Sequence, residues 1–298
     1  MDKGTSLNTK CGVVILNYNS HDLTVALAKK VSAYECVDYI CVVDNCSKDS
    51  FDGDFQEAKI HYIKSKKNDG YSAGNNIGLR YLVDEKKCDR VFIANPDVLF
   101  DERTIWEMSR TFDKKDDLVI LSTKRYGHDK ATIHQWFDFP TLNVSIKNCF
   151  FMPRRKFEKR RHFLQNMKID LAENIVYVDA VPGAFLGIRS EFLKKIGFLY
   201  EGIFLYGDEI YLGQQARELG YKVGVINTVT YIHDHVQRRF SNRKMFWLDR
   251  QSLKIYYRKF ENYNFIQWAA LNAAIVLGYA EYSCAYILYN LLKGGGRK

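Results

Sequence analysis

The sequence predicts an α/β protein with a parallel sheet, because short apolar strands alternate with amphipathic helices through its first half. Four apolar, β-branched runs have the length of buried strands: residues 13–16, 39–43, 60–63 and 91–94. Residues 23–31 and 73–83 show helical periodicity between them. The 298 residues are 47% hydrophobic and 27% charged, the composition of a globular protein with a buried core. Disordered and fibrous classes are therefore excluded.

The second half predicts a mixed α/β continuation. Regularity weakens from about residue 118, and residues 154–162 hold six Lys or Arg against one Glu, which indicates a solvated or membrane-facing loop. The remaining elements are expected as strands at 176–180, 222–226 and 229–233 and a helix at 208–219. Neither a repeat nor a low-complexity linker divides the chain, so we expect one domain, residues 1–238, and a helical tail, residues 239–298.

The tail predicts a basic helix followed by an uncharged one. Arg243, Arg250, Lys254 and Arg258 recur at helical spacing, which predicts a basic stripe on one face. Residues 262–280 contain no charged residue, and this length is close to the roughly 20 residues that span a bilayer. Gln267 and Asn272 inside the run, and Glu281 directly after it, disfavour a spanning helix. We expect a helix on a membrane surface or packed in a homodimer, and whether residues 262–292 insert stays open.

The net charge limits the classes of binding partner that are expected. Forty-four Lys and Arg against 35 Asp and Glu give a net charge of +9, which favours an anionic membrane surface, a phosphate-bearing substrate or nucleic acid. No nucleic-acid recognition motif is present, so we expect no nucleic-acid partner. Seven cysteines without pairing or zinc-finger spacing, and a polar N-terminus, predict a cytoplasmic protein.

Polar segments follow the predicted strands, and in open α/β sheets such strand ends converge on a ligand-binding crevice. The candidates there are Asn17, Tyr18, Asn19, Asp44, Asn45, Gly70, Gly74, Asn75, Asn76 and Asn95. A carboxylate such as Asp44 at the sheet edge could accept the ring N–H of uracil or thymine. Small residues at the start of a helix expose backbone N–H groups that suit a diphosphate. Each segment alone is equally typical of a turn or a helix cap.

Two further motifs supply carboxylates and an imidazole. Asp97 ends an apolar strand in the sequence Asn-Pro-Asp, where a divalent cation could bridge it to phosphate oxygens. Asp208 and Glu209 open a helix, and one of them could be a general base, although paired acids at a helix start also complement the dipole. His233 ends a later strand and could complete an oxygen and nitrogen shell suited to Mn²⁺ or Mg²⁺.

A serine hydrolase is a remote alternative. Residues 70–74 match G-x-S-x-G, and Ser72, Asp208 and His233 follow the chain order of a hydrolase triad. The expected strand is missing directly before the motif, and so is an oxyanion segment.

Taken together and in this order, the motifs of residues 11–235 resemble those of family 2 glycosyltransferases with the GT-A fold, particularly a bacterial rhamnosyltransferase-like branch. The resemblance implies a nucleoside site at residues 17–19, at Asp44 and along residues 70–76. Asn95-Pro96-Asp97 matches the family's version of the metal-binding D-x-D motif, and His233 matches its late metal-binding histidine. Residues 183–185 resemble its acceptor-side loop.

The catalytic pair departs from the family's pattern. The family usually has Glu-Asp with the second carboxylate as base, whereas this chain has Asp208-Glu209. The resemblance therefore implies Glu209 as the base, with Asp208 still possible. The second histidine of the family's pair is separated from His233 by Asp234, which leaves the role of His235 open.

The resemblance implies a metal-dependent enzyme of cell-surface polysaccharide synthesis. It would transfer a sugar with inversion from a nucleoside diphosphate to a glycan or a polyprenyl-diphosphate-linked glycan. The expected donor is dTDP-L-rhamnose, with UDP-galactofuranose or another UDP-sugar as the alternative. Together with the basic loop and tail, this predicts a peripheral enzyme on the inner face of the cell membrane.

Overall fold

The structure is a computed structural model, and it describes residues 9–48, 51, 53–129, 133–150, 161, 164–171, 174–234 and 243–294. His235 and most of the basic segment 154–162 lie outside the described residues, so the expectations for them have no structural outcome.

One sheet of nine strands runs through the described residues. The strands are β1 Cys11–Asn17, β2 Tyr39–Asp44, β3 Ile60–Lys64, β4 Arg90–Ala94, β5 Val98–Leu99, β6 Leu118–Gly127, β7 Ile175–Val178, β8 Phe185–Arg189 and β9 Lys222–His233. Their order is β3-β2-β1-β4-β8-β6-β9-β5, and β7 pairs with β9. Strands β1 to β4 are parallel, whereas β8 runs antiparallel to β4 and β6. The parallel half predicted from the sequence thus continues without a break into a mixed half.

Helices cover the sheet and form the tail. They are α1 His21–Ser32, α2 Tyr71–Arg80, α3 Glu102–Lys114, α4 Leu142–Cys149, α5 over residues 164–171, α6 Ser190–Ile196, α7 Asp208–Glu218, α8 Arg243–Phe260 and α9 Phe265–Gly294. A single π-helical segment, Tyr81–Glu85, continues α2.

Alternate residues of the parallel strands enter two separate cores. Val13 and Ile15 of β1 pack on the side of α1 and α3, whereas Val14 packs on the side of α2. All three are fully buried. Strands covered on both faces by crossover helices read as continuous apolar runs, which is why the sequence pattern located them.

The region after residue 118 is more regular than expected. Strand β6 has ten residues and pairs in parallel with β9. The two strands predicted at 222–226 and 229–233 form a single strand whose register shifts opposite Thr123 and Lys124. Polar residues in the second half of β6 and the irregular register interrupt the alternation on which strand prediction depends.

The tail packs directly on the rest of the protein. Ser252 of α8 donates a hydrogen bond to the Leu205 carbonyl at 3.0 Å, and Tyr256 donates to Oε1 of Gln214 at 3.2 Å. The predicted basic stripe is wrong at Arg250, which is buried and donates to the Asn148 carbonyl at 2.6 Å. The stripe is interrupted there because the Arg250 side chain points toward α4, whereas Arg243 and Arg258 are exposed. The boundary at 238/239 stays a prediction.

Candidate active site

The predicted strand ends meet at one edge of the sheet. Asn17 and Asp44 are paired residues at the ends of β1 and β2, and the Asn17 amide donates to Oδ1 of Asp44 at 3.2 Å. The Asn45 amide donates to Oδ1 of Asn68 at 3.0 Å and to the Gly70 carbonyl at 3.1 Å. These bonds tie the loop before α2 to the ends of β1 and β2.

Several residues predicted to bind the nucleoside or the diphosphate are buried beneath the surface of the crevice. Asn17, Asp44, Asn75 and Asn76 are each 0% exposed. Asp44 accepts hydrogen bonds from Asn17 and from the Ser47 backbone N–H, at 3.2 and 3.0 Å. A carboxylate with no exposed surface cannot accept a ring N–H without a rearrangement of its neighbours. In this structure Asp44 is a buried residue that links the ends of β1 and β2, and its contact with the nucleoside stays a prediction.

Tyr18 and Asn19 do reach the surface of this edge. Tyr18 is 54% exposed, and the exposed Asn19 has a φ of +54°. Its backbone N–H donates to Oγ of Ser47 at 2.9 Å, and its side chain accepts from the Lys48 backbone at 3.1 Å. The loop after β1 is thereby fixed against the loop after β2.

Helix α2, with Gly70 directly before it, contacts the segment that leads to α7. Asn76 donates to the Leu199 carbonyl and to Oε1 of Glu201, each at 2.8 Å. Gly70 has a φ of +102°, and a Cβ atom there would overlap the Phe204 carbonyl oxygen. A Cβ at Gly74 would come within 2.7 Å of Leu16. These glycines therefore permit close backbone approach.

Asp97 and His233 come together as the sequence predicted. Nε2 of His233 lies 3.3 Å from Oδ1 of Asp97, and their side chains are 20% and 22% exposed. Pairing of Val98 with His233 between β5 and β9 sets this proximity, and the Asp234 N–H donates to the Asp97 carbonyl at 2.8 Å. The neighbouring Asp234 side chain contacts His128.

Asp97 and His233 fit a divalent cation whose remaining ligands come from the substrate or from water. A carboxylate oxygen and an imidazole nitrogen converge, and such a mixed set suits Mn²⁺. Within the described part of the chain, no group of three or more His, Cys, Asp or Glu could hold a metal. A cation here would therefore need further oxygen ligands from a diphosphate or water.

Glu209 lies at the start of α7 and faces the loop before β8. Its Oε1 accepts the Gly183 backbone N–H at 3.1 Å, and the Gly183 carbonyl accepts the Tyr71 hydroxyl at 2.6 Å. Burial raises the pKa of Glu209 above its usual value, while the backbone hydrogen bonds and Arg125 oppose the shift. The next carbonyl, that of Ala184, accepts the Asn95 N–H at 2.8 Å, which places this loop against the segment that carries Asp97.

Asp208 has a different environment. It accepts a hydrogen bond from the Ser72 hydroxyl of α2. Burial, with a further contribution from Glu209, raises the pKa of Asp208 to about 7, and the bond from Ser72 opposes that rise. The two adjacent carboxylates are thus held by different elements, and only Glu209 contacts the loop that leads to the Asn95 segment.

The hydrolase alternative is wrong. Ser72 is 1% exposed, is the second residue of α2, and hydrogen-bonds Asp208 directly. His233 lies beside Asp97, so it is not placed between serine and acid as the triad requires.

Four residues near the carboxylates escaped the sequence analysis. Tyr71 supplies the hydroxyl to Gly183, Arg125 lowers the pKa of Glu209, and Asp249 of α8 raises it. Tyr206 has a φ of +69°, which is uncommon outside glycine, and is 41% exposed. Arg125 carried no distinct sequence signal, because it follows Lys124 in the polar second half of β6.

Comparison with known proteins decides the family. The model of "Glycosyl transferase family 2" matches residues 12–192, more than half of the chain. The chain belongs to this glycosyltransferase family. It is also 28% identical over 240 residues to the low-salt glycan biosynthesis hexosyltransferase Agl10 of Haloferax volcanii, covering 80% of this chain and 72% of that protein.

Solved glycosyltransferases share the fold. GalNAc-T7, solved with UDP, GalNAc and Mn²⁺, superposes with a TM-score of 0.58 at 10% identity, over 84% of this chain. The match spans only about half of that protein, 48%. The mannosyltransferase PcManGT of Pyrobaculum calidifontis, solved with GDP-Man and Mn²⁺, gives 0.57 at 13% identity over 96% of this chain and 79% of its own. The predicted GT-A fold and glycosyltransferase family are confirmed.

Proposed function

We propose that this family 2 glycosyltransferase transfers a hexose with inversion from a nucleoside diphosphate to an acceptor hydroxyl. The observation that carries the proposal is the pairing of Asp97 with His233, at 3.3 Å, on the segment that hydrogen-bonds the Gly183–Ala184 loop. Glu209 is bound to the other side of this loop. The proposed metal position and the proposed general base are therefore linked by two hydrogen bonds, from the Asn95 N–H to the Ala184 carbonyl and from the Gly183 N–H to Glu209.

Asp97 and His233 would hold Mn²⁺ or Mg²⁺ together with the donor diphosphate. When bound, the cation would offset the negative charge that develops on the departing nucleoside diphosphate. Both structural neighbours were solved with Mn²⁺, which supports the proposal by analogy of fold.

Glu209 would take the acceptor proton. The acceptor oxygen attacks C1 of the sugar from the face opposite the diphosphate, the bond from C1 to the phosphate oxygen breaks, and the proton moves to the Glu209 carboxylate. The Gly183 N–H fixes one carboxylate oxygen, and the raised pKa of Glu209 increases its proton affinity. Asp208 is the alternative base: it is bound by Ser72 of α2, whereas Glu209 is bound to the Gly183–Ala184 loop that contacts the Asn95 segment.

The nucleoside would lie against Tyr18 and Asn19, with Asp44 and the Gly70 loop beneath it. Exposure of Tyr18 offers a ring for stacking against the base. We propose dTDP-L-rhamnose as the donor, with UDP-galactofuranose or another UDP-sugar as the alternative.

A donor panel tests the function. Release of nucleoside diphosphate is measured for dTDP-L-rhamnose, UDP-galactofuranose, UDP-GalNAc and GDP-mannose, with Mn²⁺, with Mg²⁺ and with EDTA. We expect one donor to be used, and its turnover to be lost in EDTA and restored by Mn²⁺. Turnover that persists undiminished in EDTA would contradict the metal assignment, and no turnover with any nucleotide sugar would contradict the function.

The acceptor is proposed to be a glycan on a polyprenyl diphosphate at the inner face of the cell membrane. Support comes from the net charge of +9 and from the exposed apolar side of α9. Part of this charge comes from the basic segment 154–162 of the sequence. A homodimer through the tail is the competing use of the same apolar surface.

A further inference from the structure

The exposed side of α9 is apolar along its whole described length. Its residues, the α9 outer face, are Phe265, Ile266, Ala269, Ala270, Ala273, Val276, Leu277, Ala280, Cys284, Ile287, Leu288 and Leu291. At 3.6 residues per turn they fall within one arc of about 140°. Among the side chains of α9 that the structure describes, Asn290 is the exposed exception, at the edge of this arc, and no exposed one is charged.

Several of the exposed side chains on the α9 outer face are large. Phe265 is 86% exposed, Ile266 76%, Leu288 60% and Leu291 67%. Single exposed apolar residues are ordinary, but a continuous apolar face of this length marks an interaction surface.

The opposite side of α9 is fixed to the protein. Leu271, Ile275 and Tyr282 are buried, and a Cβ on Gly278 would overlap the Cys149 carbonyl of α4. Residues 265–291 are long and apolar enough to cross a membrane, with a mean hydropathy of 1.2. If α9 crossed a bilayer, the arginines of α8 that lie against Tyr286 and Trp268 would be carried toward the hydrocarbon, which is costly. The outer face is therefore presented sideways.

An aromatic and basic row borders the α9 outer face on the side of α8. The guanidinium of Arg258 lies 5.7 Å from the Trp268 ring, and that of Arg243 lies 5.9 Å from the Tyr286 ring. Trp, Tyr and Arg side chains are typical of the level of lipid headgroups, where an apolar body meets a charged, wet layer. The positive charge of this row complements an anionic surface.

The charge of the border distinguishes a bilayer from a second copy. Two copies pairing through the α9 outer face would each bring a positively charged border to the same interface, where like charges oppose association. An anionic bilayer offers the complementary charge along the same border and can cover the entire face.

We propose that the α9 outer face lies flat in the interfacial layer of an anionic bilayer, with Arg243 and Arg258 at the headgroups. The enzyme is then bound to one leaflet along a helix that does not span it. This placement goes beyond the proposed reaction, because it depends neither on the donor nor on the metal.

Flotation of the full chain with lipid vesicles tests the placement. The vesicles contain phosphatidylcholine alone or with about one third phosphatidylglycerol. We expect the wild type to float with both, and more strongly with the anionic vesicles. The double variant Leu277→Glu/Leu288→Glu should partition on the order of 100-fold more weakly, because two leucines that would be buried in the bilayer become charged.

A matched variant and two further measurements complete the design. Leu171→Glu changes a leucine that is 77% exposed on α5 and should float like the wild type. Thermal unfolding of each variant reports whether the fold is kept, which we expect because glutamate favours helices. Release of nucleoside diphosphate in the same samples separates a failed placement from a failed function.

Two results would overturn the placement. One is a folded wild-type enzyme that stays unbound with both vesicle types, whether or not it turns over donor. The other is a lipid-free dimer that Leu277→Glu/Leu288→Glu dissociates and Leu171→Glu does not, because this would assign the face to a second copy.

Discussion

Asp208 and Glu209 are neighbours with different roles. Glu209 is hydrogen-bonded to the Gly183 N–H, whereas Asp208 accepts the Ser72 hydroxyl. Two carboxylates in different surroundings can divide the work of base and support, as paired acids do in other enzymes.

Replacement of the base should affect rate far more than binding. We expect Glu209→Gln to lower kcat by about 10²- to 10⁴-fold, because the acceptor hydroxyl loses its proton acceptor. Donor binding, measured by calorimetry, should change little. Asp208→Asn should cost less than Glu209→Gln. If both variants keep full transfer activity, neither carboxylate is the base.

The pKa of Asp208 links this residue to stability. It rises to about 7 from the ordinary 3.8, so the folded protein holds a proton between these pH values that the unfolded chain has released. Stability should therefore fall as pH rises through this window. We expect Asp208→Asn to raise the free energy of unfolding by about 1–3 kcal/mol at pH 8 and to have little effect near pH 4. Urea denaturation at both pH values measures this, and an equal effect at both would refute the linkage.

Gly183 has little room for a side chain. A Cβ there would lie 3.0 Å from the Tyr71 hydroxyl and 3.1 Å from Oε1 of Glu209. We expect Gly183→Ala to reduce kcat by about 10-fold, because the carboxylate has to shift by a few tenths of an ångström, less than the displacement of about 1 Å that costs about 10²-fold. Gly197→Ala is the control for general backbone strain, since nothing lies within 4 Å of its Cβ position but its φ is +75°. Equal kcat values for the two variants would argue against a tightly positioned base.

At the scale of elements, apolar strands were predictable and irregular ones were not. Strands β1 to β4 read as continuous apolar runs because both of their faces are buried. Strand β6 was missed because its second half is polar and its register with β9 shifts. The ligand contacts of Asp44 and Asn76 stay predictions, whereas their burial and hydrogen bonds were not foreseen from the sequence. Sequence gives the polarity of such a residue but not the direction in which its side chain points.

The packing of α8 on α4 depends on a buried arginine. Arg250 is 5% exposed, donates to the Asn148 carbonyl at 2.6 Å and contacts Asp249. We expect Arg250→Met to lower the free energy of unfolding by about 2–4 kcal/mol, because the carbonyl and the acid lose their charged partner. Arg258→Met changes an exposed residue of the same helix and should stay within about 0.5 kcal/mol. Equal losses in the two variants, measured by chemical denaturation, would contradict this account of the tail.

At the scale of the whole molecule, the order of the motifs predicted the family and the fold. The arrangement of the tail needed the structure, because the spacing of basic residues on α8 does not reveal that Arg250 faces inward. The exposed apolar side of α9 likewise depends on which of its residues α4 and α8 cover. The two surfaces proposed to be functional are the crevice of the sheet and the α9 outer face.

We propose above all that Asp97 and His233 hold the cation that binds the donor diphosphate. A crystal structure of the protein soaked with Mn²⁺ and UDP or dTDP is the decisive measurement. We predict an anomalous manganese peak between Oδ1 of Asp97 and Nε2 of His233, in contact with the diphosphate. Manganese and nucleotide bound together elsewhere, with neither Asp97 nor His233 as a ligand, would contradict it.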